Sequence, residues 1–191
     1  PALCARHPRL IYCEISAFGH AGPLQARPGY EPLIQAFSGM FNTNGGPEDP
    51  PIRIGASVCD QGTGMWAVIG ALAMLQQRQH TGRGGVVSAS LLETALVWNA
   101  QKADAYVNQG QLPPRHASGH PGLVPYEAFD AQDGPLLICC GNDRLFVKLA
   151  TVLGQPAWIT DPRFASNRNR LEHKAALLAE LKKGLLPGQY L

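Results

Sequence analysis

Asp60 is the charged residue within Gly55-Ala56-Ser57-Val58-Cys59-Asp60-Gln61-Gly62-Thr63-Gly64-Met65, a stretch otherwise made of small and uncharged side chains. It stands just before an apolar run, Met65 to Leu75, that reads as a buried helix. Two roles are open to a carboxylate there. As an N-cap it would accept the orphan N–H groups of the first helical turn. As a nucleophile it would be kept ionised by the helix dipole. No nearby Ser or His builds a triad with it, so a nucleophilic Asp60 needs an activated acyl group as its target. Gly62 and Gly64 leave room for another molecule to approach. For an arbitrary Asp before a helix, capping is the commoner role, and the local sequence leaves both readings open.

Other polar residues carry weaker signals. Tyr30 follows Arg27-Pro28-Gly29 and reads as a core aromatic at a helix start, or as a hydroxyl that orients a substrate carboxylate. Arg27 is either a solvated loop residue or a partner for an anionic substrate. Ser118-Gly119-His120-Pro121-Gly122 lies in a loop from Gly110 to Pro125, long enough to be a functional candidate. It lacks the phosphate-cradling glycine pattern and the P-loop lysine. Its glycines suit a mobile loop that donates N–H groups, and His120 is either a general base or simply exposed. Asn142 reads as a helix cap with Asp143 complementing the dipole. Asp161-Pro162-Arg163-Phe164 reads as a turn, and Trp66, Trp98 and Trp158 as packing.

The elements that position these residues follow from periodicity. Leu10 to Ser16 and Val86 to Ser90 read as short strands, the first covered on both faces. Tyr30 to Phe41 shows helical spacing. A long helix runs from Asp60 to about His80 and stops at Thr81-Gly82-Arg83-Gly84. Leu91 to Gln109 reads as one further helix. Strand, helix and strand in that order predict an α/β layer. Asp133-Gly134 between apolar runs predicts a hairpin. A domain change is therefore placed near Gly119 to Pro125. Helices are predicted from Asn142 to Gly154 and from Leu171 to Lys183, before a tail with Pro187-Gly188.

Bulk composition limits the function classes. Sixteen basic and fourteen acidic residues, without a basic cluster, are not a nucleic-acid footprint. No uninterrupted apolar run approaches the roughly 18 residues of a membrane span. Neither nucleic acid nor membrane is an expected partner. Cys4, Cys13, Cys59, Cys139 and Cys140 form no Cys-x-x-Cys pair, and reduced, buried thiols in a cytoplasmic-type compartment are expected. The six histidines show no metal-ligand spacing. The strand inventory is short and the chain opens at Pro1 almost directly into a strand, so a piece of a longer protein is expected.

Taken together, the segments resemble one family. They are Pro8-Arg9-Leu10-Ile11-Tyr12-Cys13, Ser16-Ala17-Phe18-Gly19, Gly22-Pro23, Arg27-Pro28-Gly29-Tyr30, Asp60-Gln61-Gly62-Thr63-Gly64, Thr81-Gly82-Arg83-Gly84, Val124-Pro125-Tyr126, Gly141-Asn142-Asp143-Arg144 and Asp161-Pro162-Arg163-Phe164. In this order, from about Arg6 to Leu181, they resemble the class III CoA-transferases. That family includes formyl-CoA transferase, the carnitine CoA-transferases and α-methylacyl-CoA racemase.

The resemblance implies an α/β fold. Residues 1–120 would be part of a Rossmann-like large domain whose N-terminal CoA-binding portion is missing. Residues 121–191 would begin a smaller α+β domain, in a family of interlocked homodimers. Asp60 matches the catalytic aspartate, which forms an anhydride and then a thioester with CoA. Tyr30, Arg27, Gln61, Leu91, Gly119 and His120 would contact substrate or CoA. Backbone N–H groups near Gln61, or from the Gly119 loop, would hold the oxyanion. The Ser118–Gly122 loop matches the position of the family's glycine-rich lid, though it departs from the glycine run of formyl-CoA transferase. Coenzyme A would be a substrate, with no tightly bound cofactor and no metal. Tyr30 replaces the histidine base of the racemase branch, which favours transfer, whereas Asp143 keeps that branch's acid. The Val-Pro-Tyr and Gly-Asn-Asp-Arg forms look most like members that use dicarboxylic acids. Three readings stand: CoA transfer, α-proton exchange on an acyl-CoA, and an inactive relic or assembly module.

Overall fold

The computed structural model describes residues 2–131 and 134–185. The chain divides into two compact units, residues 1–115 and 116–191.

In the first unit, α1 (Ala2–Arg6) leads into β1 (Ile11–Ser16). A long loop then reaches α2 (Glu31–Phe37), a 3-10 turn at Met40–Thr43, α3 (Val58–Thr81) and β2 (Gly85–Ser90). The unit closes with α4 (Leu91–Trp98) and α5 (Ala100–Gln109). β1 and β2 pair in parallel, from Ile11 opposite Gly85 to Ser16 opposite Ser90. A parallel pair needs a crossover, and α3 provides it. The helix stops at Gly82, whose φ of 70° is left-handed and whose N–H donates to Arg78.

Several elements differ from the sequence expectation. The helix predicted over Tyr30–Phe41 ends at Phe37, because Gly39 turns left-handed at φ 82°. The helix predicted over Leu91–Gln109 breaks at Asn99, whose φ of −102° and ψ of 12° depart from the helical values. β1 is not covered on both faces: four of its six residues are exposed. In β2, Gly85, Val87 and Ala89 are more buried than Val86 and Ser88, and α3 packs on the pair. Nor is α3 a buried helix. Met65, Val68, Ile69 and Leu72 are exposed along it. By length and composition α3 is also apolar enough to cross a membrane, a match that the broken apolar run had concealed. Packing against β1, β2 and α4 gives part of that apolar surface a place in the fold. The cysteines divide as well: Cys59 and Cys140 are buried, Cys13 and Cys139 exposed.

The core of this unit gathers Ala17, Ile34, Met40, Cys59, Leu91 and Ala95. Beside it Thr63 Oγ1 donates to Cys59 O (2.7 Å) and lies 2.8 Å from Thr94 Oγ1, which donates to Ser90 O (2.8 Å). These buried hydroxyls tie α3 to the β2–α4 junction. Gly62 permits the contact. A Cβ there would lie 2.7 Å from Thr94 Cγ2 and 2.8 Å from Trp98 Nε1. The room expected at Gly62 for another molecule is thus filled by α4. Gly62→Ala should cost about 1–3 kcal/mol through overpacking, read as a lower urea midpoint at unchanged m-value.

In the second unit β3 (Tyr126–Ala131) and β4 (Gly134–Cys139) pair antiparallel. Gln132 and Asp133 of the predicted Asp-Gly turn lie outside the described residues, as do Pro187 and Gly188 of the tail. α6 (Asp143–Val152), α7 (Ala157–Thr160), α8 (Asn167–Glu172) and α9 (Lys174–Gly184) follow. The last predicted helix is therefore two helices, separated at His173. Asn142 caps α6 as expected, accepting from the Leu145 N–H at 3.0 Å. The core contains Val124, Phe129, Ile138, Phe146, Phe164 and Leu177. Arg170, at 0% exposure, is built into it. Its guanidinium donates to Val124 O, Phe164 O and Asp143 Oδ1 at 2.7–2.8 Å and lies 4.3 Å from the Phe146 ring centroid. A buried cation needs this full set of acceptors.

Candidate functional site

Because β1 and β2 are parallel and α3 returns between them, the α3 N-terminus lies at the carboxyl ends of the strands. Open α/β sheets bind ligands at that edge. Asp60 is the third residue of α3, after Val58 and Cys59. The expected N-cap role is therefore not observed. Ser57 holds the cap position, without a side-chain cap bond, and Asp60 lies inside the first turn.

The first-turn donors find other partners. Cys59 N–H donates to Glu31 Oε1 at 3.1 Å and Asp60 N–H to Glu31 Oε2 at 2.7 Å. Val58 N–H donates to Ala56 O, and Gln61 N–H to Ser57 O. The N–H groups of Val58, Cys59 and Asp60, which the helix itself leaves without acceptors, are thus engaged, and that of Gln61 makes the first bond of the helix ladder. The oxyanion role expected of the N–H near Gln61 meets a group already bonded within the helix. Asp60's own carboxylate is exposed and accepts no hydrogen bond among the described residues. This unit does not enclose the Asp60 side chain. Gly64, one turn further on and on the same face, has open space where a Cβ would stand.

Glu31 sits at the centre of this arrangement and is 3% exposed. Gln35 Nε2 donates to its Oε1 at 2.6 Å, while Gln35 Oε1 accepts from the Ile54 N–H at 2.9 Å. Burial pushes the Glu31 pKa up, but the bonds from Gln35, Asp60 and Cys59 together outweigh it and hold the carboxyl below its ordinary value. One buried carboxylate therefore joins the start of α2 to the start of α3.

Tyr30 precedes Glu31 and is carried to the same edge. It is 83% exposed, so it is not the core aromatic that one reading allowed. Arg27 lies in the loop before it, exposed and without a side-chain partner among the described residues. Gln61 lines a cavity of about 340 Å³ with Met40, Val58, Met65 and Trp98. Leu91 is a core residue at the first position of α4, inside the turn in which Ser90 Oγ accepts from the Glu93 N–H. Cys59, the thiol next to Asp60, is no rival nucleophile. Burial, then the Glu31 carboxylate, push its pKa up to about 12.

Gly119 and His120 belong to the second unit. A Cβ at Gly119 would lie 2.9 Å from His116 O and 3.0 Å from Glu127 Oε2. His120 Nδ1 accepts from the Gly122 N–H at 3.0 Å, and the ring packs beside Tyr126. Its Nδ1 is thus used within the loop. Asp143 receives both Arg170 and the Asn167 N–H on Oδ1, a structural commitment that the sequence did not disclose.

The profile of CoA-transferase family III matches residues 1–187. The chain belongs to CoA-transferase family III. Acetyl-CoA:oxalate CoA-transferase of Acetobacter aceti is 39% identical over 94% of this chain and 46% of its own length. Succinate–glutarate CoA-transferase of Agrobacterium fabrum is 34% identical over 88% of this chain and 42% of its own. A CAIB/BAIF family protein from Brucella suis superposes with TM-score 0.79 at 38% identity, covering 96% of this chain and 49% of that one. Rv3272 from M. tuberculosis gives TM-score 0.85 at 29% identity, covering 98% and 48%. This family III chain spans about half the length of the relatives it matches.

Glu31 and Gln35 were not among the family III residues singled out from the sequence. A Glu in a first turn reads as an ordinary complement to its own helix dipole. Its four-residue spacing from Gln35 was the available signal, but it carries no information about a helix start 29 residues away.

Proposed function

We propose that the intact protein is an acyl-CoA:carboxylate CoA-transferase with Asp60 as nucleophile. The observation that carries this reading is the Asp60 carboxylate, exposed at the carboxyl ends of β1 and β2 and accepting no hydrogen bond among the described residues, while its own N–H is held by Glu31.

An Asp60 oxygen attacks the thioester carbon of the donor. The C–S bond breaks, CoA leaves as a thiolate, and an aspartyl mixed anhydride remains. The thiolate then attacks the Asp60 carbonyl, releasing the donor acid and leaving an aspartyl-CoA thioester. An acceptor carboxylate attacks that thioester, and the returning thiolate takes the acceptor acyl group as the product and regenerates Asp60. Coenzyme A is substrate throughout, and no metal enters. Arg27 and Tyr30 are the groups offered to an acceptor's second carboxylate. A dicarboxylate acceptor is supported by the oxalate and glutarate in the names of the relatives. The Asp143 carboxylate, already holding two donors, is a poor base for α-proton exchange.

A homodimer is part of the same proposal, supported by the exposed apolar residues of α3 and β1. So is a cytoplasmic location, supported by the five free thiols. Trapping tests the chemistry. The intact protein, incubated with acyl-CoA and quenched with hydroxylamine or borohydride, should carry the adduct on Asp60 by peptide mass spectrometry. An adduct elsewhere, or turnover without one, would refute the nucleophile.

A further inference from the structure

Glu31 anchors the first turn of α3, but a carboxylate on a flexible stem must itself be aimed. Gln35, one turn further along α2, is 0% exposed, so all its polar atoms depend on partners inside the unit. They have them. Nε2 donates to Glu31 Oε1 at 2.6 Å and, with its other N–H, to Ile54 O at 3.2 Å, with Ala56 O at 3.5 Å. Oε1 accepts from the Ile54 N–H at 2.9 Å. One side chain thus ties the Glu31 carboxylate to residues 54–56, the segment that leads into α3.

These partners fix which way the amide faces. Turned over, its oxygen would meet the Glu31 carboxylate and its N–H groups would meet the Ile54 N–H, two repulsive contacts in a buried site. On its far side Glu31 presents Oε1 to the Cys59 N–H and Oε2 to the Asp60 N–H. Hydrogen bonds therefore run unbroken from Ile54 through Gln35 and Glu31 to the backbone of Asp60. No cation takes part. The titratable groups on the elements packed against Glu31 are Cys59, whose thiol is pushed up to about 12 by burial and by Glu31, the exposed Asp60, and Glu93 of α4, whose Oε2 accepts from Ser90 Oγ at 2.6 Å. Arg53, just before the 54–56 segment, is exposed.

We infer that Gln35 is a positioning residue for the transfer reaction: it aims the Glu31 carboxylate and, through it, sets where the first turn of α3 holds Asp60. The inference rests on Asp60 as the nucleophile. Gln35 acts through Glu31 and not on the reacting atoms, and a misplacement of about 1 Å at a reacting group can cost on the order of 10²-fold in rate.

Gln35→Glu in the intact protein is the test, because it keeps the shape and exchanges the amide for a carboxyl. Two buried carboxyls at hydrogen-bond distance do not both ionise readily. While the pair holds one proton, the introduced carboxyl donates to Glu31 and the anchor stands. When that proton leaves, the two charges repel and the anchor opens. The folded pKa of the pair is raised, so the support it gives is lost as pH rises through that value. Relative to wild type at each pH, kcat of Gln35→Glu should be within about threefold near about pH 5.5 and lower by about thirtyfold or more by about pH 9. Gln35→Met, which removes the amide without adding a charge, should lose kcat by a similar factor across the range. Circular dichroism gives the folded fraction at each pH, and rates are referred to folded protein. In the same Gln35→Glu samples the Cys59 and Asp60 amides should lose hydrogen-exchange protection, relative to wild type, as the rate falls. A rate ratio that stays level with pH, a loss that disappears once rates are referred to folded protein, or unchanged protection of both amides overturns the inference. Failure of Asp60 trapping would remove the nucleophile and leave amide protection to report on the anchor. Successful trapping beside a level rate ratio would remove this inference alone.

Discussion

Asp60→Asn in the intact protein is expected to reduce CoA transfer by on the order of 10⁴-fold or more, the scale of losing a covalent nucleophile. The amide is nearly isosteric but has no anionic oxygen to attack a thioester. Stability should hardly change. The side chain is exposed and makes no bond among the described residues, and surface substitutions of that kind stay within about 0.5 kcal/mol. Initial rates with acyl-CoA and a dicarboxylate, paired with a urea melt, check both halves. A variant that keeps the wild-type rate would refute the nucleophile. A variant that loses its rate by unfolding would show Asp60 to be structural, contrary to its position here.

The opposite pattern is expected at Glu31. Glu31→Ala strips the Cys59 N–H, the Asp60 N–H and the Gln35 amide of one buried acceptor group. Helix caps and charge-assisted hydrogen bonds set the scale, and a loss of about 2–4 kcal/mol is expected. The α3 first turn should fray, and transfer should fall with it because Asp60 is carried on that turn. Acid adds a second signature. The folded pKa of Glu31 lies below its ordinary value of 4.5, so the unfolded chain binds its proton first as pH falls. The stability it contributes is complete above the ordinary Glu value and is lost as pH drops through the lower folded value. Glu31→Gln should lack that share of the acid destabilisation. Urea midpoints of wild type and Glu31→Gln at pH 7 and in steps below 4.5 would show the two curves converging with acid. Parallel curves would mean that Glu31 does not act as an ionised cap.

Much of the local structure was legible along the chain. The run from Met65 to Leu75 announces α3, Gly82 its end, and Asn142 the start of α6, because each signal acts over a few residues. The β1–α3–β2 order followed from the alternation of two short apolar runs with one long one. The breaks at Asn99 and His173 were not legible. Both flanking sequences are helix-compatible, and the break depends on where each half packs. Burial was read too generously: an apolar residue in a strand or helix is buried only if another element comes to cover it, and in these units much of α3 and β1 has no cover.

At the site the same division holds. Residue types and order by themselves determined that Asp60 stands at the start of a long helix, with Tyr30 and Arg27 leading another, and that the whole register is that of CoA-transferase family III. Tertiary structure alone decided what Asp60 is free to do. It replaced the expected self-cap with Glu31, engaged the helix-start N–H groups, closed the space at Gly62 and left it open at Gly64. The reason is physical. Capping and dipole preferences are local and can be satisfied by any carboxylate that reaches the helix start, so the sequence names the candidates. Which carboxylate arrives, and which is left with its oxygens unbonded, depends on contacts between residues 29 positions apart.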